Sequence, residues 1–118
     1  MAIQTAVGQV TAANTNRDGT GTLVTLMTAG GSGATIGALH VAAPGTVTDG
    51  MVRFFVYDGV SNNYLRVEVP VEATSPSATV PAFQQTVIPI GLTLESGWSL
   101  KASTHNAETF NITVHYTE

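Results

Sequence analysis

The chain has 118 residues, of which 10% are charged and 43% hydrophobic, and its formal net charge at pH 7 is −4. This length corresponds to one domain, predicted over residues 1–118. Four basic residues cannot form the cluster that nucleic-acid binding requires, and no apolar run approaches the roughly 20 residues of a membrane span, so neither partner is expected.

The first part of the chain predicts three short strands separated by turns. Residues 6–13 form the first, and a Gly- and Asn-rich turn at 14–21 leads to a β-branched second strand at 22–28. After the flexible segment 29–33, residues 34–43 predict a third strand, with a possible bulge at Gly37.

The next stretch, 51–69, has the clearest β-hairpin pattern in the chain. Two runs rich in Val, Phe, Tyr and Leu flank the turn 58–63. Strict alternation predicts that Tyr57 faces Tyr64, Phe55 faces Arg66 and Arg53 faces Glu68, in an exposed row. The opposite face of the hairpin would be apolar and need cover from a second sheet, with these members: Val52, Phe54, Val56, Leu65, Val67 and Val69.

The remaining residues predict a long loop and three further strands. Three prolines within 70–81 indicate an extended loop, either a crossover between sheets or a contact segment. Strands are predicted at 83–90, which Pro89 interrupts late, at 98–103 and at 110–117.

This pattern predicts an all-β fold, a two-sheet antiparallel β-sandwich of jelly-roll or Greek-key type with about eight strands. The predicted core is Leu26, Ile36, Leu39, Phe54, Val56, Leu65, Val67, Val87, Trp98, Leu100, Ile112 and Val114.

The sequence predicts neither an enzyme nor a cofactor. His40, His105 and His115 lack the close spacing of a metal motif, and Asp18, Asp49 and Asp58 stand beside turns. The chain has no cysteine, which excludes disulfides and thiolate sites. Its first ten residues lack the pattern of a secretory signal.

Aromatic residues leave one binding alternative open. Tyr57, Tyr64, Trp98 and Tyr116 could form a platform for a sugar, but Trp98 and Tyr116 fall on inward strand faces, which favours core packing.

Three segments carry a distinctive series of turns and strands. The segments 50–59, 64–70 and 94–114 carry an aromatic-Asp-Gly turn, a Gly-Trp-Ser-Leu strand, an Asn-Ala turn and a closing alternating strand. Together they resemble small virion structural proteins of tailed bacteriophages. The resemblance implies a β-sandwich that decorates or cements the head, or a related part of the tail or neck, and it assigns no functional residue.

From this we expect a virion protein made in the host cytoplasm and placed on the outer head surface. Its partners would be the major capsid protein and copies of itself, as a homodimer or homotrimer. Contacts are expected from the first dozen residues, the loop 70–81 and the outer hairpin face. The candidate interface residues are Arg53, Tyr57, Tyr64, Arg66, Pro70, Pro76 and Pro81. A tail or neck component and a carbohydrate- or receptor-binding module are the alternatives.

Overall fold

A computed structural model describes residues 2–118 as an antiparallel β-sandwich. Within this range the strands are β1 Ile3–Val10, β2 Val24–Thr28, β3 Ala34–Ala42, β4 Gly50–Tyr57, β5 Asn63–Val71, β6 Gln84–Val87, β7 Thr93–Leu94, β8 Ser99–Thr104 and β9 Phe110–Thr117. The part of the chain that the structure describes contains no helix that could span a membrane. The predicted fold class is confirmed.

The two sheets have a jelly-roll order. A five-stranded sheet runs β1-β9-β3-β6. Strand β7 pairs with the first residues of β3 and β6 with its last residues, so β6 and β7 share one strand position. The four-stranded sheet runs β2-β8-β4-β5. The chain crosses between the sheets at every connection except the β4–β5 hairpin and the β6–β7 link, as the paired Greek keys of a jelly roll require.

The core lies between the sheets and follows the strand alternation of the sequence. Phe54, Leu39, Leu100 and Val114 are fully buried, since alternate residues of each strand point to the same face. Gly8 marks a close approach of the two sheets, because a Cβ atom there would lie 2.6 Å from Leu26 Cδ2.

Both ends of the described chain meet at one end of the sandwich. The Ala2 N–H donates to the Glu118 carbonyl at 2.9 Å, and the Glu118 N–H donates to the Ala2 carbonyl at 3.0 Å. This reciprocal pair continues the β1–β9 ladder, which runs from Ile3 opposite Thr117 to Val10 opposite Phe110.

Several predicted boundaries need correction. The last strand is confirmed at both ends, and the bulge at Gly37 appears as a register shift between Ile36 and Ala38. The first strand lies three residues earlier than predicted, the strand predicted at 83–90 is shorter, and β7 was not predicted. Pro70 belongs to β5, so the long loop is 72–83.

Leu65 was wrongly assigned to the core. It is 36% exposed, because a β-bulge shifts the register of the hairpin between Phe54 and Phe55. The other predicted core residues are buried or pack against the core while partly exposed, as Val67, Val87 and Trp98 do.

Candidate interaction surfaces

The half of the central hairpin's outer face that contains Arg53 is covered rather than exposed. The loop 11–23 lies across it, and the Asn63 side-chain amide donates to the Gly19 carbonyl at 3.2 Å. Arg53 is 1% exposed and Phe55 is fully buried. The prediction that Arg53 lies on an exposed contact face is therefore wrong, since a distant loop supplies the cover.

An ion-pair network fastens this loop to the sheet. Glu68 Oε2 accepts hydrogen bonds from Arg17 Nε at 2.7 Å and from Arg53 Nε at 2.8 Å. The predicted pairing of Arg53 with Glu68 across the ladder is confirmed. The hydrogen bond from Arg17, and then that from Arg53, holds the pKa of Glu68 below its ordinary value. Arg53 Nη1 also lies 3.3 Å from His105 Nδ1.

A bulge redirects the far half of the hairpin. Val56 faces Tyr64 and Tyr57 faces Asn63, so the predicted pairings of Tyr57 with Tyr64 and of Phe55 with Arg66 are wrong. Arg66 is the extra, unpaired residue of the bulge. It is exposed, and its Nη2 donates to the Ile90 carbonyl at 3.2 Å.

Tyr57 and Tyr64 consequently occupy different surfaces. The Tyr57 hydroxyl donates to the Val60 carbonyl at 3.1 Å, and Lys101 Nζ lies 4.0 Å from the centre of the Tyr57 ring. Tyr64 is 54% exposed and lies at the open end of the space between the sheets. The structure brings Tyr64 and Arg66 together and leaves Tyr57 apart from them.

Tyr64 and Arg66 line a groove at this end of the sandwich, here called the tip groove. It has a volume of about 260 Å³, and its walls include Val56, Tyr64, Leu65, Arg66, Leu92 and Trp98. Ile90, whose carbonyl binds Arg66, is 87% exposed, and nearby in sequence Ile88 is 69% exposed. The groove has the chemistry to hold an apolar side chain, with the guanidinium at its rim.

The three predicted prolines lie away from the tip groove. Pro70 is exposed on β5, while Pro76 and Pro81 lie in the loop 72–83. This loop is tied down where it begins, because Thr74 and Val47 exchange backbone hydrogen bonds of 2.9 and 3.0 Å. The Ala73 N–H also donates to Asp49 Oδ1 at 2.9 Å. The predicted contact role of these prolines stays a prediction.

The outer face of the five-stranded sheet has a different chemistry, and we call it the neutral face. None of the described strands of this sheet contains Asp, Glu, Lys or Arg. The residues of the neutral face are exposed or half-buried, and they are Ile3, Thr5, Val7, Gln9, Thr35, Ala38, His40, Ala42, Gln84, Thr86, Asn111, Thr113, His115 and Thr117.

The histidines do not form a metal site on this face. His40 Nδ1 lies 2.8 Å from Thr86 Oγ1, and His115 is opposite Thr5 on one side and Ala38 on the other. Within residues 2–118, no three His, Cys, Asp or Glu side chains come together in a way that could hold a metal ion.

Comparison with known proteins finds similarity of structure only. No protein-family model and no curated protein sequence matches the chain. A chain of the capsid asymmetric unit of cyanophage Pam1 is similar over 97% of this chain and 83% of its own length, with 14% identity and a TM-score of 0.49.

Two further similar chains come from infectious bursal disease virus. The chain from the T13 particle has 14% identity and a TM-score of 0.35, and that of the Gx strain has 13% identity and a TM-score of 0.40. They match 94% and 97% of this chain, which spans only about a third of their length (31% and 32%). Such low identity assigns no role to any residue here.

Proposed function

We propose that the protein is a non-enzymatic structural component of a bacteriophage virion. In this role it is a decoration protein that binds the outer surface of the head shell and stabilises contacts between capsomers. The observation that carries the proposal is the neutral face, a broad surface without a charged residue in any of its described strands. The resemblance of the segments 50–59, 64–70 and 94–114 to phage virion proteins supports the choice of partner.

The neutral face has the physical properties of a surface that another protein covers. Burying an unpaired charge costs several kcal/mol, and charged residues are depleted at the centres of protein interfaces. Threonine, asparagine and glutamine side chains can exchange water for hydrogen bonds to a partner. Strand length and strand spacing give this face dimensions of about 26 Å by 19 Å. Its area is of the same order as the area that one partner buries in a specific interface.

The opposite sheet is less suited to that role. Its outer face is already occupied in part by the loop 11–23, and its strands carry Arg53, Arg66, Glu68 and Lys101. The tip groove would supply a smaller second contact. Many such modest contacts, repeated over a symmetric shell, hold strongly together because the attachment is multivalent.

The first experiment is to locate and count the protein in purified particles by cryo-electron microscopy. Hundreds of copies on the outer head are expected. A few copies at the tail would support the tail or neck alternative, or the receptor-binding alternative if the isolated protein also binds a host polysaccharide. Absence from the particle would overturn the proposal.

A matched pair of variants then tests the neutral face. His115→Glu adds a carboxylate to the centre of this face, whereas Thr25→Glu adds one to an exposed position on β2 of the other sheet. Occupancy of depleted particles should fall at least about tenfold for His115→Glu, since burial of the charge costs more than 1.4 kcal/mol. Thr25→Glu should bind as the parent protein does. Equal binding of both variants would exclude the neutral face.

A further inference from the structure

The four sheet edges of the molecule differ in their protection against pairing with another chain. The β5 edge carries Arg66, Glu68, Pro70 and a bulge, and the β2 edge is five residues long with a register shift. In the five-stranded sheet, the edge opposite β1 is divided between β6, with four residues, and β7, with two. Charges, proline, bulges and short length are the usual devices that prevent edge pairing.

Strand β1 has none of these devices. It is an eight-residue edge strand with the sequence Ile-Gln-Thr-Ala-Val-Gly-Gln-Val, uncharged, free of proline and paired to β9 without a register shift. Ile3 is 86% exposed and Val7 is 75% exposed on its outer surface. Such an edge can accept another strand.

The alternation of hydrogen bonds between β1 and β9 identifies the backbone groups of β1 that are free. The reciprocal pair between Ala2 and Glu118 marks Ala2 as a hydrogen-bonded position in the ladder with β9. Because these positions alternate in an antiparallel pair, the N–H and C=O groups of the odd-numbered residues point away from β9. Ile3, Thr5, Val7 and Gln9 therefore present unpaired groups at the edge, and their side chains lie on the neutral face.

We propose that β1 pairs with β1 of a second copy of this chain, antiparallel and centred on Thr5. In this register Thr5 faces Thr5 of the other copy, and Ile3 faces Val7 of the other copy on both sides of the two-fold axis. The two exposed apolar residues are spaced equally about Thr5, so the strand is complementary to itself. Cross-strand pairs of β-branched apolar residues and of threonines both stabilise antiparallel sheets.

The pairing joins two five-stranded sheets into one and makes the two neutral faces continuous. A second copy suits this edge because no charge on β1 opposes a like charge, although each chain carries a net charge of −4. The inference concerns the isolated protein in solution, so its test is independent of attachment to any particle.

The absence of cysteine from the sequence permits a direct test of the register. Thr5→Cys places two thiols opposite each other at the two-fold axis, where the expected Cα separation of about 5.5 Å suits a disulfide. Under mild oxidation, this variant should form a covalent dimer on a non-reducing gel. Gln9→Cys, at an exposed position outside the paired segment, should stay monomeric. Equal cross-linking of the two variants would overturn the register.

A charge-matched pair of variants tests the edge itself. Thr5→Lys brings two ammonium groups together at the axis and should weaken the dimer roughly tenfold in sedimentation equilibrium. His115→Lys makes the same change in charge one strand inward, directly opposite Thr5 on β9, and should leave the dimer unchanged. A parent protein that is monomeric at all accessible concentrations, or equal weakening by both variants, would overturn the proposal.

Discussion

At the scale of single residues, the most consequential side chain is Arg53. It is 1% exposed on a strand face that alternation alone would leave to solvent, and Glu68 compensates its charge. A buried guanidinium is tolerated only with such a partner, because an unpaired charge in the interior is costly. The pair thus makes the loop 11–23 part of the folded structure through Arg17.

Replacing Glu68 tests this account. Glu68→Gln removes the carboxylate that both arginines bind and leaves Arg53 buried without a counter-charge. The free energy of unfolding, measured by urea denaturation at pH 7, should fall by about 2 to 4 kcal/mol. The control Glu72→Gln, at an exposed position just beyond the same strand, should change it by less than about 0.5 kcal/mol. Similar losses in the two variants would contradict the role of Glu68 as the counter-charge of the buried Arg53.

The same carboxylate makes stability depend on pH. A carboxyl group whose pKa is lower in the folded state stabilises the fold above its unfolded pKa, near 4.5 for Glu68, and that contribution is lost as the pH falls through the folded pKa. Asp18, bound by the Thr20 hydroxyl, and Asp58, bound by the Val60 N–H, have lowered pKa values and act in the same direction. Stability should therefore decrease between pH 5 and the acid range, and the decrease should be smaller in Glu68→Gln than in the parent.

At the scale of elements, the loop 11–23 and the bulge in the hairpin together determine which surfaces are free. The loop buries the half of the hairpin that contains Arg53, and the bulge turns Tyr64 and Arg66 towards the tip groove. Close contact of Gly19 with the Asn63 backbone allows the loop to lie flat on the sheet.

Gly19→Ala should displace this cover. Gly19 has φ +88°, a conformation that disfavours side chains, and a Cβ atom would collide with the Asn63 carbonyl. We expect a loss of about 2 kcal/mol in the free energy of unfolding. Gly45→Ala is the control, because that glycine has no positive φ and open space around it. A Gly19→Ala protein as stable as the control would mean that the loop is not held closely.

Local sequence patterns predicted the elements better than the surfaces. Alternation in 110–117 specified β9 completely, since Phe110, Ile112 and Val114 on its inner face are buried and Tyr116 packs against the core. The bulge at Arg66 has no local signal, and the covering of Arg53 depends on residues 34 or more positions away, such as Arg17 and Gly19. The tip groove was missed because Ile88 and Ile90 read as part of a strand. The Ile-Pro-Ile sequence was the available signal for an apolar loop.

At the scale of the whole molecule, charge is divided between the two sheets. The four-stranded sheet carries Arg53, Arg66, Glu68 and Lys101, whereas the described strands of the five-stranded sheet carry no charged residue. A contact through the neutral face would depend on apolar burial and neutral hydrogen bonds, both of which salt screens little.

Attachment to the shell should therefore be insensitive to ionic strength. Occupancy on depleted particles should change by less than about threefold between 0.05 and 0.5 M NaCl, a range over which exposed charge pairs become strongly screened. A protein that binds by its charged sheet is the useful contrast, since its occupancy would fall steeply. A steep fall in the occupancy of this protein would indicate that the four-stranded sheet, which contains the hairpin, makes the contact.

The reciprocal hydrogen bonds between Ala2 and Glu118 determine how the molecule responds to mechanical tension. Because β1 and β9 are antiparallel neighbours whose outer ends coincide, a force that separates these two residues loads one hydrogen-bonded pair at a time, from Ala2 towards Val10. The ladder then opens like a zipper at low force. A load applied across the faces of the sandwich is instead shared among many strands, so the fold can carry load through its surfaces far better than through its ends.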